Sequence, residues 1–145
     1  MNNTDIDTTR ILVVYLDKIR VCVNIDGPLY EFVALKVDSL ENDERVTMNI
    51  RTIAKQMRLV SPSIEDVLTV RRSYSNEDIQ ALGLSTLVVM HEPVIREEGD
   101  PAIFGKGPQD GTMVLSETGF GFPYSGMSDC RWSSDVGFVY LRQKK

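Results

Sequence analysis

The chain has 145 residues, 42% hydrophobic and 26% charged, with 21 Asp and Glu against 16 Lys and Arg and a formal net charge of -5. This is the length of one typical domain and the composition of a folding chain, and the acidic balance disfavours a duplex-binding surface, which draws its affinity from neutralising phosphates. The apolar runs at residues 11–16 and 86–90 are far too short to cross a bilayer.

Residues 1–9 are polar and acidic and lack the charged-then-apolar pattern of a secretory signal, so the cytoplasm of the producing cell is the expected location. Residues 10–16 carry a continuous apolar run. Residues 19–25 alternate, with Ile19, Val21, Val23 and Ile25 opposed to Arg20, Cys22 and Asn24. Both patterns predict strands, joined across Asp17-Lys18 as a tight hairpin. Asp26-Gly27-Pro28 reads as a turn, and residues 29–37 as a third strand. Asp38, Glu41, Asp43 and Glu44 mark a connecting loop, after which the alternation of Val46, Met48 and Ile50 predicts a fourth strand.

The period then changes. Ile53, Met57 and Val60 recur at helical spacing, with Lys55 and Arg58 on the wet side. Ser61-Pro62 supplies an N-cap and a first position for a second helix, striped by Ile64, Val67, Leu68 and Arg71. Ser75 and Asp78 stand in capping-box spacing to open a third, and Gly83 ends it. Residues 86–91 read as a buried strand limited by Pro93, because Leu87, Val88, Val89 and Met90 leave no polar face. Gly99, Gly105, Gly107 and Gly111 with Pro101 and Pro108 predict a long loop over residues 96–111. Residues 112–115 predict a further strand between that loop and a second loop region at residues 116–135, which is glycine-rich over residues 119–126. In the last strand Val136, Phe138 and Tyr140 oppose Gly137, Val139 and Leu141, and a basic tail of Arg142, Lys144 and Lys145 follows. Strands at both ends of a single domain, 1–145, with helices between them predict an α+β fold. The expected architecture is a mostly antiparallel sheet or open barrel of about six to eight strands, with two or three short helices on one face and residues 1–9 as a polar arm.

Few residues suit chemistry. His91 is the only histidine, which excludes a polyhistidine metal site, and Cys22 and Cys130 form no CxxC or zinc spacing. Cys130 with His91 and Asp129 or Asp135 is the one nucleophilic arrangement available, and Trp132 beside Cys130 argues for packing there instead. Gly105-Lys106-Gly107 has the glycines and charge of a phosphate cradle, but neither the Ser or Thr after the lysine nor the helix that a P-loop requires. Carboxylate pairs for glycoside hydrolysis, drawn from Glu92, Glu117, Asp129 and Asp135, are what any acidic domain offers. No cofactor or metal is expected.

The least ordinary feature is aromatic. Phe120, Phe122, Tyr124 and Trp132 sit in glycine- and serine-rich chain, either covering the core or forming a binding surface. The first expectation is therefore a non-enzymatic interaction or assembly protein, with a protein partner or as a homo-oligomer, of the kind found as bacteriophage or bacterial accessory and particle components. Membrane and nucleic acid are not expected partners. The second is a small-molecule or nucleotide-binding protein or hydrolase, with a pocket under those loops where Lys106, His91, Arg71 and Arg72 converge on an anion.

Overall fold

The computed structural model describes residues 8–19, 23–24, 27–63, 65–95, 101–106 and 132–144. In chain order the strands are β1 (Leu12–Tyr15), β2 (Val23–Asn24), β3 (Leu29–Lys36), β4 (Thr86–Ile95), β5 (Pro101–Lys106) and β6 (Val136–Gln143). The helices, α1 (Thr47–Gln56), α2 (Asp66–Ser73) and α3 (Asn76–Ala81), all lie between β3 and β4. The class is α+β, as expected.

Among the described residues one sheet runs in the order β1-β3-β6-β4-β5, with β2 also paired to β3. It is mixed, because β4 and β6 run parallel while the other pairs are antiparallel. It is also narrower than the expected sheet or barrel. The reason lies in β1 and β2, which do not form a hairpin with each other. Both pair with the same side of β3, in the registers Leu12↔Lys36 to Tyr15↔Val33 and Val23↔Tyr30, Asn24↔Leu29. The Asp17-Lys18 turn instead loops out of that edge and is held from outside, with the Lys18 amide donating to the Tyr74 hydroxyl at 3.1 Å. A two-residue hairpin at Asp17-Lys18 would have no glycine to set its backbone twist.

Burial on both sides of the middle strands explains the core. On one face Val33, Leu35, Val88, Met90, Phe138 and Tyr140 pack with Ile50, Ile53 and Ala54 of α1. On the other, Phe32, Ala34, Leu87, Val89, Val139 and Leu141 pack with Val67 and Val70 of α2, Tyr74, and Ile79 of α3. The helices thus cover both faces, not one. Each Val, Leu, Ile, Phe or Met side chain so buried contributes about 1.5–3 kcal/mol, and a strand apolar on both faces is stable only where both are covered.

Several local expectations are corrected by the same rule. Residues 46–50 enter α1, not a strand: Thr47, Ile50, Ile53 and Ala54 turn inward at helical spacing, and Met48 is left 56% exposed. Helix α2 begins four residues after Pro62, where the Asp66 carboxylate accepts from the Ser63 amide at 2.8 Å and the Ser63 hydroxyl at 3.2 Å. Its buried stripe is Val67 and Val70, continued by Tyr74, while Leu68 faces outward. Pro93 does not stop β4, which runs on to Ile95; the proline falls where the β4–β5 register shifts between Val89 and Val94, so no ladder needs its missing N–H. Part of the expected loop at residues 96–111 is β5, which among the described residues pairs with β4 alone.

Other local readings hold. Ser75 and Asp78 form a reciprocal capping box on α3, Gly83 follows it at φ 81, and Gly27 turns the chain into β3 at φ 92. The expected strand at residues 112–115 and the glycine-rich stretch at residues 119–126 lie outside the described residues.

Candidate functional site

The β1–β3 ladder fixes which way the outermost backbone points. Leu16 donates to the Phe32 carbonyl at 3.1 Å, so that pair is hydrogen-bonded, and alternation along the ladder makes Val14–Ala34 and Leu12–Lys36 hydrogen-bonded too. Val13 and Tyr15 therefore turn their N–H and C=O groups away from β3, toward the sheet's outer edge. Among the described residues no strand pairs with β1 there. Leu12 is 56% and Tyr15 45% exposed, although natural edges usually carry charge or proline at such places.

The two ends of this edge differ in charge. At its start the Ser39 hydroxyl donates to the Arg10 carbonyl at 2.7 Å, Arg10 Nη1 donates to the Ser39 carbonyl at 3.2 Å, and Arg10 lies 3.8 Å from the Glu44 carboxylate. The acidic residues Asp38, Glu41, Asp43 and Glu44 are thereby tied to the start of β1. At its finish, beside the exposed Asp17, Arg142 Nη1 donates to the Tyr15 hydroxyl at 3.1 Å with its guanidinium 5.9 Å from the ring centroid. Lys18 follows, 3.5 Å from Asp78.

The residues singled out from sequence fall elsewhere. Phe120, Phe122 and Tyr124 lie outside the described residues, as do Cys22, Cys130, Glu117 and Asp129. Trp132 turns inward: it is 5% exposed, its indole N–H donates to the Thr47 hydroxyl at 2.9 Å, and its ring meets Phe138 edge-on with centroids 5.4 Å apart. His91 is buried in β4, and its carbonyl accepts from Arg51 Nη2 at 2.8 Å. It sits just past the point where β4 and β6 part. Their parallel pairing ends at Val89↔Val139, and beyond it Leu141 exchanges backbone hydrogen bonds of 2.8 and 2.9 Å with Val60. The space between the parted strands is thus filled by the segment that leads from α1 to α2.

Lys106 is opposite Leu87, about 13 Å of strand from His91. Arg71, half-buried, and Arg72, exposed, are in the last turn of α2. Lys106 and His91 are therefore held at separate levels of β4. Among the described residues no group of three or more His, Cys, Asp or Glu is placed to hold a metal, and no helix is long and apolar enough to cross a membrane.

The β1 edge was missed from sequence. Its strand was legible, but its position at the rim depends on which side of β3 is taken by β6, more than a hundred residues further on. No family model matches the chain, and comparison with curated proteins and with solved structures gave no match.

Proposed function

We propose that the protein is a non-enzymatic interaction or assembly protein that docks through the β1 edge. The observation that carries this reading is the outward-turned backbone of Val13 and Tyr15 beside the exposed Leu12 and Tyr15 side chains. Such an edge supplies main-chain hydrogen bonds to an extended partner segment and apolar contact on either side of it. Phe120, Phe122 and Tyr124 remain a second candidate contact on compositional grounds.

Val13→Pro is the direct test. It deletes an N–H that makes no bond to β3, so the fold should persist while docking is lost. The readout is the mass of cross-linked complexes recovered with the full chain from its producing cell, compared with the melting temperature of each variant. Complexes that survive both Val13→Pro and the pair Leu12→Ser, Tyr15→Ser would rule the β1 edge out.

A further inference from the structure

We infer that the corner between α2 and α3 is a latch on the finish of β1, so that the first turn of α3 and the last residues of β1 open and close as one unit. The edge that β1 and β2 form on β3 is interrupted. Leu16 donates to the Phe32 carbonyl at 3.1 Å, and among the described residues pairing resumes at Val23, opposite Tyr30. After Leu16 the chain turns toward α2 and α3: the Ile19 amide closes on the Leu16 carbonyl at 3.2 Å, and Leu16 and Ile19 belong to one apolar cluster with Val67, Tyr74 and Ile79.

The corner holds this turn and starts α3 with the same residues. The Lys18 amide donates to the Tyr74 hydroxyl at 3.1 Å, and Lys18 Nζ lies 3.5 Å from Asp78 Oδ1. Asp78 Oδ2 accepts from the Ser75 amide at 3.0 Å, while the Ser75 hydroxyl accepts from the Asp78 amide at 3.1 Å. One carboxylate therefore caps α3 and holds Lys18. An exposed ion pair of this kind is weak alone. Here it has a second anchor in the Tyr74 bond and a third in the apolar contact beneath it, and bonds that share partners hold or fail together.

The latch bears on the docking role proposed for β1, and this step rests on that reading. Tyr15 precedes Leu16 and shares the outward-turned backbone with Val13. A partner strand needs Tyr15 held on β3, so an open latch adds an ordering cost to docking. By linkage, a docked partner closes the latch and steadies α3.

Amide-resolved hydrogen exchange on the full chain, with no partner present, tests the latch. The readouts are the Leu16 and Ile79 amides, which donate to the Phe32 and Ser75 carbonyls and not to the Tyr74 hydroxyl or the Asp78 carboxylate. Tyr74→Phe keeps the ring and removes the acceptor, and is expected to speed both amides by roughly three- to tenfold, the worth of one hydrogen bond. Asp78→Ala, which removes the cap and the ion pair together, should speed Leu16 in the same way. A Leu16 amide indifferent to Asp78→Ala, or an Ile79 amide indifferent to Tyr74→Phe, overturns the latch. Cross-linked complexes from the producing cell read its consequence. Recovery that falls with both Tyr74→Phe and Val13→Pro supports control of docking, and recovery that falls with Val13→Pro alone overturns that control. Recovery indifferent to both variants removes the docking role, and the latch then stands or falls on the exchange rates.

Discussion

Trp132 and Arg45 bind each other twice: the Trp132 amide donates to the Arg45 carbonyl at 2.8 Å, and Arg45 Nε donates to the Trp132 carbonyl at 3.1 Å. Arg45 Nη1 also donates to the Leu40 carbonyl, and the Trp132 indole reaches Thr47, so the lead-in to β6 is fastened to the lead-in to α1.

Loss of this fastening should be costly. Trp132→Ala is expected to destabilise by about 3–5 kcal/mol, and Trp132→Phe, which keeps a ring but loses the bond to Thr47, by about 1–2 kcal/mol. Urea unfolding followed by far-ultraviolet circular dichroism measures both, since Trp132 is the only tryptophan and fluorescence would vanish with it. Equal midpoints for wild type and Trp132→Ala would show that the indole is not a core element.

Gly137 leaves no room for a side chain. A Cβ there would lie 2.6 Å from Leu84 Cδ1 and 3.2 Å from Leu87 Cδ2. Both leucines are buried, so their methyl groups cannot move without displacing others. Gly137→Ala should cost about 1–3 kcal/mol in the same unfolding assay, although alanine is otherwise better in a strand than glycine.

Acid should weaken α3 through Asp78. Its carboxyl is held below the ordinary value of 3.8, chiefly by the Ser75 main-chain N–H; desolvation opposes this, and the Ser75 hydroxyl and Lys18 add to the lowering. A carboxyl lowered in the folded state contributes its full stability above its unfolded value and loses it as pH falls through the folded value. The melting temperature of wild type should therefore exceed that of Asp78→Asn at neutral pH, and the two should draw together below about pH 4. A gap unchanged into strong acid would remove the charge from the explanation.

Arg58 pays a backbone cost at the end of α1. It sits at φ 61, where the Leu59 amide closes on the Ala54 carbonyl at 2.9 Å. Glycine removes the left-handed penalty and returns some chain entropy, so Arg58→Gly should range from neutral to about 1 kcal/mol more stable. Arg58→Val should lose about 1–2 kcal/mol, because a β-branched residue tolerates that conformation poorly. Thermal melts of the two variants, with Arg58→Val below the wild type and Arg58→Gly at or above it, check the assignment.

What the sequence by itself determined is the set of features whose physics is local. The Ser75–Asp78 capping box, the turns at Gly27 and Gly83, the long third strand, and the two-faced apolar alternation from Val136 to Leu141 each depend on residues a few positions apart. The tertiary structure alone decided which elements meet. Val46, Met48 and Ile50 match a strand as well as a helix over so short a window, and the helix prevails because the sheet face above it needs Ile50, Ile53 and Ala54 together. Helices on both faces, and the docking of β1 and β2 on one side of β3, follow from β6 entering between β3 and β4. That insertion is an agreement between segments about a hundred residues apart, made by burial and by closing hydrogen-bond ladders, and no short-range spacing encodes it. Among the described residues, the backbone of Val13 and Tyr15 that faces away from β3 is its by-product: a strand visible in the sequence becomes an edge through the places that distant strands take.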